Sequence, residues 1–299
     1  MSQMTEVEGR RLALSNLDKV LYPNGFTKAE VLHYYATNAE VLLPHLRDRP
    51  LSFLRYPDGA EGEHFFAKNL PPGTPDWVKT AVVPRSGAGE TGEHVLVQDL
   101  PTLIWAANLV TEFHTPQWKA AEPGLADRLV FDLDPGAPAT IVECCTVAEW
   151  LRDRLAADGF ELLAKTSGAK GLHILAPLEP VPSERVTAYA KSLAVEAESA
   201  LPGLVVHRMA RHLRPGKVFV DYSQNTAAKT TAAPYTLRAR PAPTVSAPIT
   251  WDEVADCTDA DQLVFRAGDI ASRVARSGDL LAPLLDPGRA RPLPPTEAA

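Results

Sequence analysis

Residues 128 to 134 read R-L-V-F-D-L-D, and the last four alternate apolar with acidic side chains. An extended chain turns successive side chains to opposite faces, so Asp132 and Asp134 share one face of a strand while Phe131 and Leu133 turn toward a core. Two carboxylates on one face repel unless a cation, a basic side chain or water compensates them. A third acid, Asp221, ends another short apolar strand in K-V-F-V-D-Y at 217 to 222. Brought alongside the pair, it completes an oxygen-rich site for two divalent ions, the arrangement that polarises entering and leaving oxygens in phosphoryl transfer. D-x-D alone is common, and strand-end aspartates that cap turns or form salt bridges fit the pattern equally well.

The chain around this strand alternates short apolar runs with helical periodicity. Strands are expected at 128–134, 161–165, 173–177, 205–207 and 217–221, with helices at 145–158 and 183–201, the second capped by Ser183. That alternation predicts an α/β (α+β) fold, a sheet with helices packed on it. Upstream, T-K-A-E at 27 to 30 has the form of a capping box, and Val31, Leu32, Tyr34, Tyr35, Val41 and Leu42 give an apolar face to a helix ending near Pro44. A strand over 51–56 precedes a P-D-G turn at 57–59. Proline and glycine dominate 69–76, a glycine-rich loop spans 86–92, a strand is expected at 94–98 and a mostly buried helix at 101–114. With 299 residues and about 150 per domain, two modules or one large domain are expected. The divisions fall at 1–124, 125–245 and 246–299, with 287–299 a loose proline-rich tail.

Between the acidic strands lies K-T-S-G-A-K-G-L-H at 165 to 173. Gly168 and Gly171 permit close backbone approach, and Ser167 and Lys170 offer a donor and a positive charge suited to phosphate oxygens, although this is not the Walker pattern. His173 suits contact with a phosphate or sugar, or the bland alternative of a core histidine satisfied by a backbone bond. From 205 to 240 there are seven Lys or Arg residues, Arg208, Arg211, Arg214, Lys217, Lys229, Arg238 and Arg240, against one acid, Asp221. A positive surface beside a carboxylate site serves polymer phosphates and a nucleoside triphosphate; a solvated charged face is the competing reading.

Composition excludes several classes. The chain is 45% hydrophobic and 22% charged, enough to bury a core and unlike a disordered protein. No uninterrupted apolar span of about 18 residues occurs, and the N-terminal M-S-Q-M-T-E-V-E-G-R-R lacks the apolar middle of a secretory signal, so a cytoplasmic location without a membrane partner is expected. Three cysteines, Cys144 and Cys145 adjacent, make neither a disulfide framework nor a spaced zinc site. The net charge of −7 argues against wholesale coating of nucleic acid but leaves a local basic channel open.

Several ordered motifs together resemble the archaeo-eukaryotic primase superfamily, and within it the polymerase domain of bacterial ligase D used in nonhomologous end joining. They are D-K-V-L-Y-P at 18–23, E-F-H-T-P at 112–116, D-L-D-P at 132–135, T-S-G-A-K-G-L-H at 166–173 and V-F-V-D-Y-S-Q-N at 218–225, and the resemblance covers roughly residues 10 to 245. It implies a primase-like fold with an RRM-like catalytic sheet and an associated N-terminal module, the two forming one integrated polymerase core. It implies that Asp132, Asp134 and Asp221 are the metal-binding catalytic aspartates, and that Ser167, Lys170 and His173 contact the incoming nucleotide. His114 resembles the family histidine near the nucleotide sugar, Gln224 assists that pocket, and Arg240 resembles a triphosphate-binding arginine. Lys19 and Lys28 resemble the pair that recognises a downstream 5′-phosphate, and the helix start at Thr27 supports Lys28 in that place. Surface salt bridging is the alternative for both lysines. Phe65 and Phe66 resemble an aromatic pair on template bases, although neighbours on a regular strand face opposite ways and one would then be core. Arg55 and Lys68 are nearby basic candidates for strand contacts.

The implied reaction is attack of a primer 3′-hydroxyl on the α-phosphate of an NTP or dNTP, with two divalent ions, Mn2+ favoured and Mg2+ also suited, and frequent use of ribonucleotides. The implied substrate is gapped or broken DNA with a downstream 5′-phosphate, in the cytoplasm at the nucleoid. No K-x-D-G ligase motif occurs and no ligase or phosphoesterase module accompanies the resemblance, so Ku and a separately encoded ATP-dependent DNA ligase are the inferred partners. Two other readings are a stand-alone primase-polymerase acting in priming or excision repair and a noncatalytic DNA-end binding protein.

Overall fold

The computed structural model of the chain describes residues 2–84, 90–109 and 112–295. They divide into two compact units, one of Met1–Pro116, Thr230–Ser246 and Phe265–Gly278, the other of Gln117–Lys229, Ala247–Val264 and Asp279–Ala299. The stretch expected as a separate extension from 246 thus supplies segments to both.

The first unit opens with a hairpin, β1 (Ser2–Val7) and β2 (Arg10–Ser15), joined by Glu8 and Gly9. Their φ values of 48° and 77° give the left-handed pair that a type I′ turn requires. Leu12 alone is buried among the hairpin's described side chains, so no clear alternation announces it in the sequence. The capping box forms as expected: Thr27 Oγ1 accepts from the Glu30 amide at 3.3 Å, and Glu30 Oε2 from the Thr27 amide at 2.7 Å. It starts α1 (Lys28–Thr37), but the helix expected to reach Pro44 is two helices. Asn38 leaves helical geometry at φ −102° and ψ 13°, its side-chain amide donates to the Tyr34 carbonyl at 2.8 Å, and α2 (Ala39–Leu46) restarts beyond it.

After α2 come β3 (Ser52–Arg55), β4 (Phe65–Ala67), β5 (Thr80–Pro84), β6 (Thr91–Val95), α3 (Leu100–Ala107) and β7 (Glu112–Thr115). The strand expected at 94–98 is β6, displaced toward the N-terminus. The helix expected over 101–114 is corrected: α3, capped by Asp99, ends at Ala107, and Glu112–Thr115 is a strand whose His114 lies opposite Ser52 and whose Glu112 lies opposite Leu54. A short apolar run does not by itself tell a buried helix from a buried strand, and here long-range pairing decides. Val110 and most of the loop at 86–92 lie outside the described residues.

The second unit is built from β8 (Leu125–Pro135), α4 (Ile141–Ala156), β9 (Leu163–Thr166), β10 (Leu172–Pro182), α5 (Ser183–Ala200), β11 (Val205–Val206) and β12 (Val218–Asp221). The chain then returns to the first unit with β13 (Thr231–Ala232), β14 (Leu237–Arg238) and β15 (Thr244–Val245). It adds β16 (Pro248–Ile249) and α6 (Trp251–Ala255) to the second unit, and α7 (Ala267–Ser277) to the first. The first unit's larger sheet runs β13-β7-β3-β4, and the second unit's runs β11-β12-β8-β10-β9-β16. In the latter every pairing is antiparallel except β11 with β12.

As the alternation requires, Leu129, Phe131 and Leu133 are fully buried, and α4 and α5 both pack against β8. Ser183 does not cap α5; its hydroxyl donates to the Gly124 carbonyl at 2.8 Å, tying the helix start to the approach of β8. The tail expected to be loose is docked through residue 295. Arg291 bridges to Leu178, Arg289 pairs with Glu161 at 2.6 Å, and Leu293 is buried. The three cysteines are free and buried. No helix among the described residues is long and apolar enough to cross a membrane.

Candidate active site

The second unit's sheet sets out the acids by register. Asp132 on β8 faces Asp221 on β12 to one side and His173 on β10 to the other. Directly opposed residues project from the same face of a sheet, so His173, Asp132 and Asp221 form one row, and Asp134 stands two residues along that face. The row continues to Lys165 on β9, opposite His173 and only 1% exposed. His173 Nε2 lies 3.4 Å from Asp132 Oδ1. Asp221 caps the short 3-10 turn Tyr222–Asn225: its Oδ1 accepts from the Ser223 amide at 3.0 Å and hydroxyl at 2.6 Å, and its Oδ2 accepts from Gln224 Nε2 at 3.0 Å. Gln224 therefore reaches the site through Asp221.

The 165–173 loop closes over the end of this row. Gly168 adopts φ +68°, and a Cβ on Gly171 would lie 1.9 Å from the Leu133 carbonyl oxygen, so only glycine lets β10 enter against β8 here. Ser167 organises the loop from within, its Oγ accepting from the amides of Ala169 and Gly171, each at 3.1 Å. Lys170 Nζ donates to the Pro135 carbonyl at 3.0 Å and stands 3.6 Å from Asp134 Oδ1. Burial first and the charge of Asp132 second raise the proton affinity of Asp134, against the opposing pull of Lys170 and Arg214. Arg214 lays its guanidinium 3.7 Å from the ring centroid of Phe219, the residue paired with Asp134.

Three carboxylates on one sheet face, with burial and the charge of Asp132 raising the proton affinity of Asp134, are the hard oxygen donors that divalent magnesium or manganese takes. Among the described residues, however, no three His, Cys, Asp or Glu side chains are already drawn together as a metal cage. The carboxylates stand side by side on their strands, and Asp221 is engaged by Ser223 and Gln224.

His114 and Arg240 belong to the first unit. His114 Nε2 meets Glu112 Oε2 at 3.0 Å, and Phe66 stands edge-on to its ring at a centroid distance of 5.4 Å. Glu112, 2% exposed, also accepts from the Ala239 amide at 2.9 Å and from the Tyr56 hydroxyl at 3.5 Å. Arg238 Nε lies 3.0 Å from Oε2, an ion pair by distance whose N–H is not aligned on an acceptor. Burial alone would push the Glu112 carboxyl up; the His114 hydrogen bond, Arg238 and the Ala239 amide outweigh it and hold it at about 2. Arg240 is exposed. Phe65 and Phe66, on β4 at the edge of the sheet, are 47% and 55% exposed, so neither ring is core. The Arg55 guanidinium lies 5.5 Å from the Phe65 ring centroid.

Lys19 and Lys28 line one cavity of about 230 Å³ with Ser15, Arg55, Tyr56 and Asn108. Lys19 donates to the Pro57 carbonyl at 2.6 Å and pairs with Asp58 at 3.1 Å, while Lys28 reaches Ser15 Oγ at 3.2 Å. Desolvation, then the charges of Lys19 and Arg55, lower the proton affinity of Lys28. The cavity thus carries three cationic side chains, of which Lys19 is paired with Asp58.

The primase-polymerase domain of LigD, as a family model, matches residues 27–281. The chain belongs to the LigD primase-polymerase family. This is a nucleotidyltransferase family. The multifunctional non-homologous end joining protein LigD of Mycolicibacterium smegmatis is 43% identical over 280 residues, which are 92% of this chain and 36% of that protein. The bifunctional non-homologous end joining protein LigD of Bacillus subtilis is 30% identical over 272 residues, 90% of this chain and 43% of that protein. The chain thus spans less than half the length of these LigD relatives. The polymerase domain of Mycobacterium tuberculosis ligase D, solved in complex with DNA, superposes with a TM-score of 0.86 at 43% identity, covering 92% of this chain and 98% of that one.

Residues without an assigned role in the sequence also stand in these places. Glu112 and His114 are two apart in E-F-H-T, a spacing that puts both on one face once the segment is extended; reading it as helix hides the pair. Lys165 opens the glycine loop without any local pattern to mark it as buried. The basic run of 205–240 is divided: Arg208 pairs with Glu198 at 3.3 Å, Lys217 donates to the Pro202 carbonyl at 2.7 Å, and Arg238 and Arg240 lie in the first unit.

Proposed function

We propose that this chain is a DNA-directed nucleotidyltransferase of the end-joining type, filling short gaps or extending broken ends with NTPs or dNTPs during double-strand break repair. The observation that carries the reading is the single row His173, Asp132 and Asp221 with Asp134 beside it, next to a glycine loop bearing Ser167 and Lys170. Asp132, Asp134 and Asp221 would hold two divalent ions, with manganese favoured. Such ions, when bound, lower the proton affinity of an attacking 3′-hydroxyl and stabilise charge on the leaving pyrophosphate.

The chain's own residues supply the rest. Lys170 and the loop amides bind phosphate oxygens, and His173 orients the nucleotide beside Asp132. Gln224 steadies Asp221 so that its carboxylate meets the primer side. By the family resemblance, His114 is assigned to the nucleotide sugar and Arg240 to the triphosphate. Lys19 and Lys28, with Arg55, take the 5′-phosphate of a downstream strand, and Phe65 and Phe66 stack on exposed template bases. Ku and a separately encoded DNA ligase acting on the filled end are the partners proposed for it, at the nucleoid in the cytoplasm.

The test is extension of a primer across a short DNA gap, with NTPs or dNTPs, manganese or magnesium, and a 5′-phosphate or 5′-hydroxyl downstream. Template-dependent addition that is stimulated by the 5′-phosphate is the expected result. A primer-independent dinucleotide product would move the reading to a primase-polymerase. DNA binding without synthesis on any gapped, recessed or unprimed substrate would leave an end-binding protein.

A further inference from the structure

Glu112 collects donors from three separate stretches of the first unit: His114 on its own strand, Tyr56 just past β3, and the Arg238–Ala239 segment at β14. We propose that Glu112 is a positioning residue whose buried carboxylate fixes both the His114 ring and the backbone leading into Arg240, and so sets the affinity for the incoming nucleotide. The proposal rests on the nucleotidyltransferase reading above and assigns a role to a residue which that reading leaves without one.

The chemistry of the carboxylate makes the hold directional. An ionised carboxylate only accepts, so His114 Nε2, 3.0 Å from Oε2, must carry a proton whether the ring is neutral or charged. That bond selects one face and one tautomer of the imidazole and turns the Nδ1 edge away from Glu112. The second Glu112 oxygen accepts from the Ala239 amide at 2.9 Å, one residue before the exposed Arg240. A sugar-side ring and a phosphate-side guanidinium are thereby referred to the same carboxylate, and Arg238 balances its charge. A buried acid in a purely structural role needs partners but not partners that flank two ligand-facing groups.

The experiment compares Glu112→Gln and Glu112→Asp with the wild-type protein. Steady-state extension on gapped DNA should show KM for the nucleotide raised about tenfold or more in Glu112→Gln with kcat changed less than about threefold, the split expected when positioning for binding is lost. Glu112→Asp, which keeps the charge, should recover part of that loss. Imidazole 15N spectra of the free protein should show His114 as the Nε2–H form in the wild type and a mixture in Glu112→Gln. A Glu112→Gln protein with unchanged KM and an unchanged His114 tautomer overturns the proposal, as does a lowered Tm with KM unaffected. Were the wild-type protein itself inactive, the nucleotidyltransferase reading would fall instead. Equilibrium titration of the three proteins with NTP would then decide whether Glu112 governs nucleotide affinity.

Discussion

Asp221 lies directly across the antiparallel ladder from Asp132, so two carboxylates share one rung of a sheet with a third, Asp134, on the same face. Like charges so placed destabilise a fold until a cation arrives. Asp134 holds its proton more tightly in the folded chain than a free aspartate does, chiefly through burial and then through Asp132. The resulting destabilisation is absent in acid, grows as pH rises through the unfolded and then the folded pKa, and is complete above both. Asp134→Asn in metal-free buffer at pH 8 should therefore raise Tm slightly, on the order of 1–2 °C given the exposure of the carboxyl. Adding manganese should stabilise the wild type and reverse the order. Differential scanning calorimetry with and without the ion checks both signs.

Asp132→Ala should abolish extension, by at least about a thousandfold, because it removes a ligand of the ions that would stabilise the charge developing in the transition state. Its affinity for gapped DNA should stay within a few tenths of a kcal/mol of wild type, as read by fluorescence anisotropy. A parallel fall in both would assign Asp132 to binding.

Desolvation first, and then the charges of Lys19 and Arg55, disfavour the protonated form of Lys28, and an anion in their cavity would offset that cost. Lys28→Ala should erase the preference for a downstream 5′-phosphate over a 5′-hydroxyl while leaving extension of the hydroxyl substrate nearly intact. The salt dependence of binding to the phosphorylated gap should fall by about one unit of slope. Equal losses on both substrates would count against the assignment.

Phe65 and Phe66 lie on an edge strand with about half of each residue exposed, so their removal opens no enclosed cavity. Phe66→Ala should leave Tm unchanged within about 1 °C, as surface substitutions usually do, yet weaken gapped-DNA binding by about 1–3 kcal/mol if bases stack there. Unaltered affinity in the double alanine variant would remove both residues from the interface.

Glu112 carries a pH signature of its own. Its folded pKa of about 2 lies below the ordinary 4.5, so its stabilising contribution is present above about pH 4.5 and is lost as pH falls toward 2. The stability gap between wild type and Glu112→Gln, on the order of 3 kcal/mol at neutral pH, should close over that window. Urea titrations at stepped pH measure it.

What could be read from the sequence is what local pattern encodes. Alternation alone places Phe131 and Leu133 in the core with Asp132 and Asp134 opposite, and T-K-A-E alone starts α1. The placement of Asp221 beside Asp132 is a matter of register between strands some ninety residues apart, which no local spacing states; the ordered motifs supplied it by resemblance. Glu112 escaped because its segment pairs with β3, and strand pairing overrode an apolar run that suits a helix equally. Residues 287–295 looked loose because proline and arginine dominate them, but Arg289 and Arg291 find partners across the unit.

The interleaving of the two units bears on how the molecule is made. The first unit takes residues from Met1–Pro116 and again from Phe265–Gly278, with the second unit's long segment threaded between them. Neither unit is a contiguous stretch of gene, and no single truncation isolates one of them whole. On the ribosome the first unit must wait for its last helix until synthesis has passed Ser277, beyond the whole of the second unit's longest segment. The six-stranded sheet is likewise unfinished until β16 arrives. Protection of the nascent chain from protease should therefore come late and for both units together, not domain by domain.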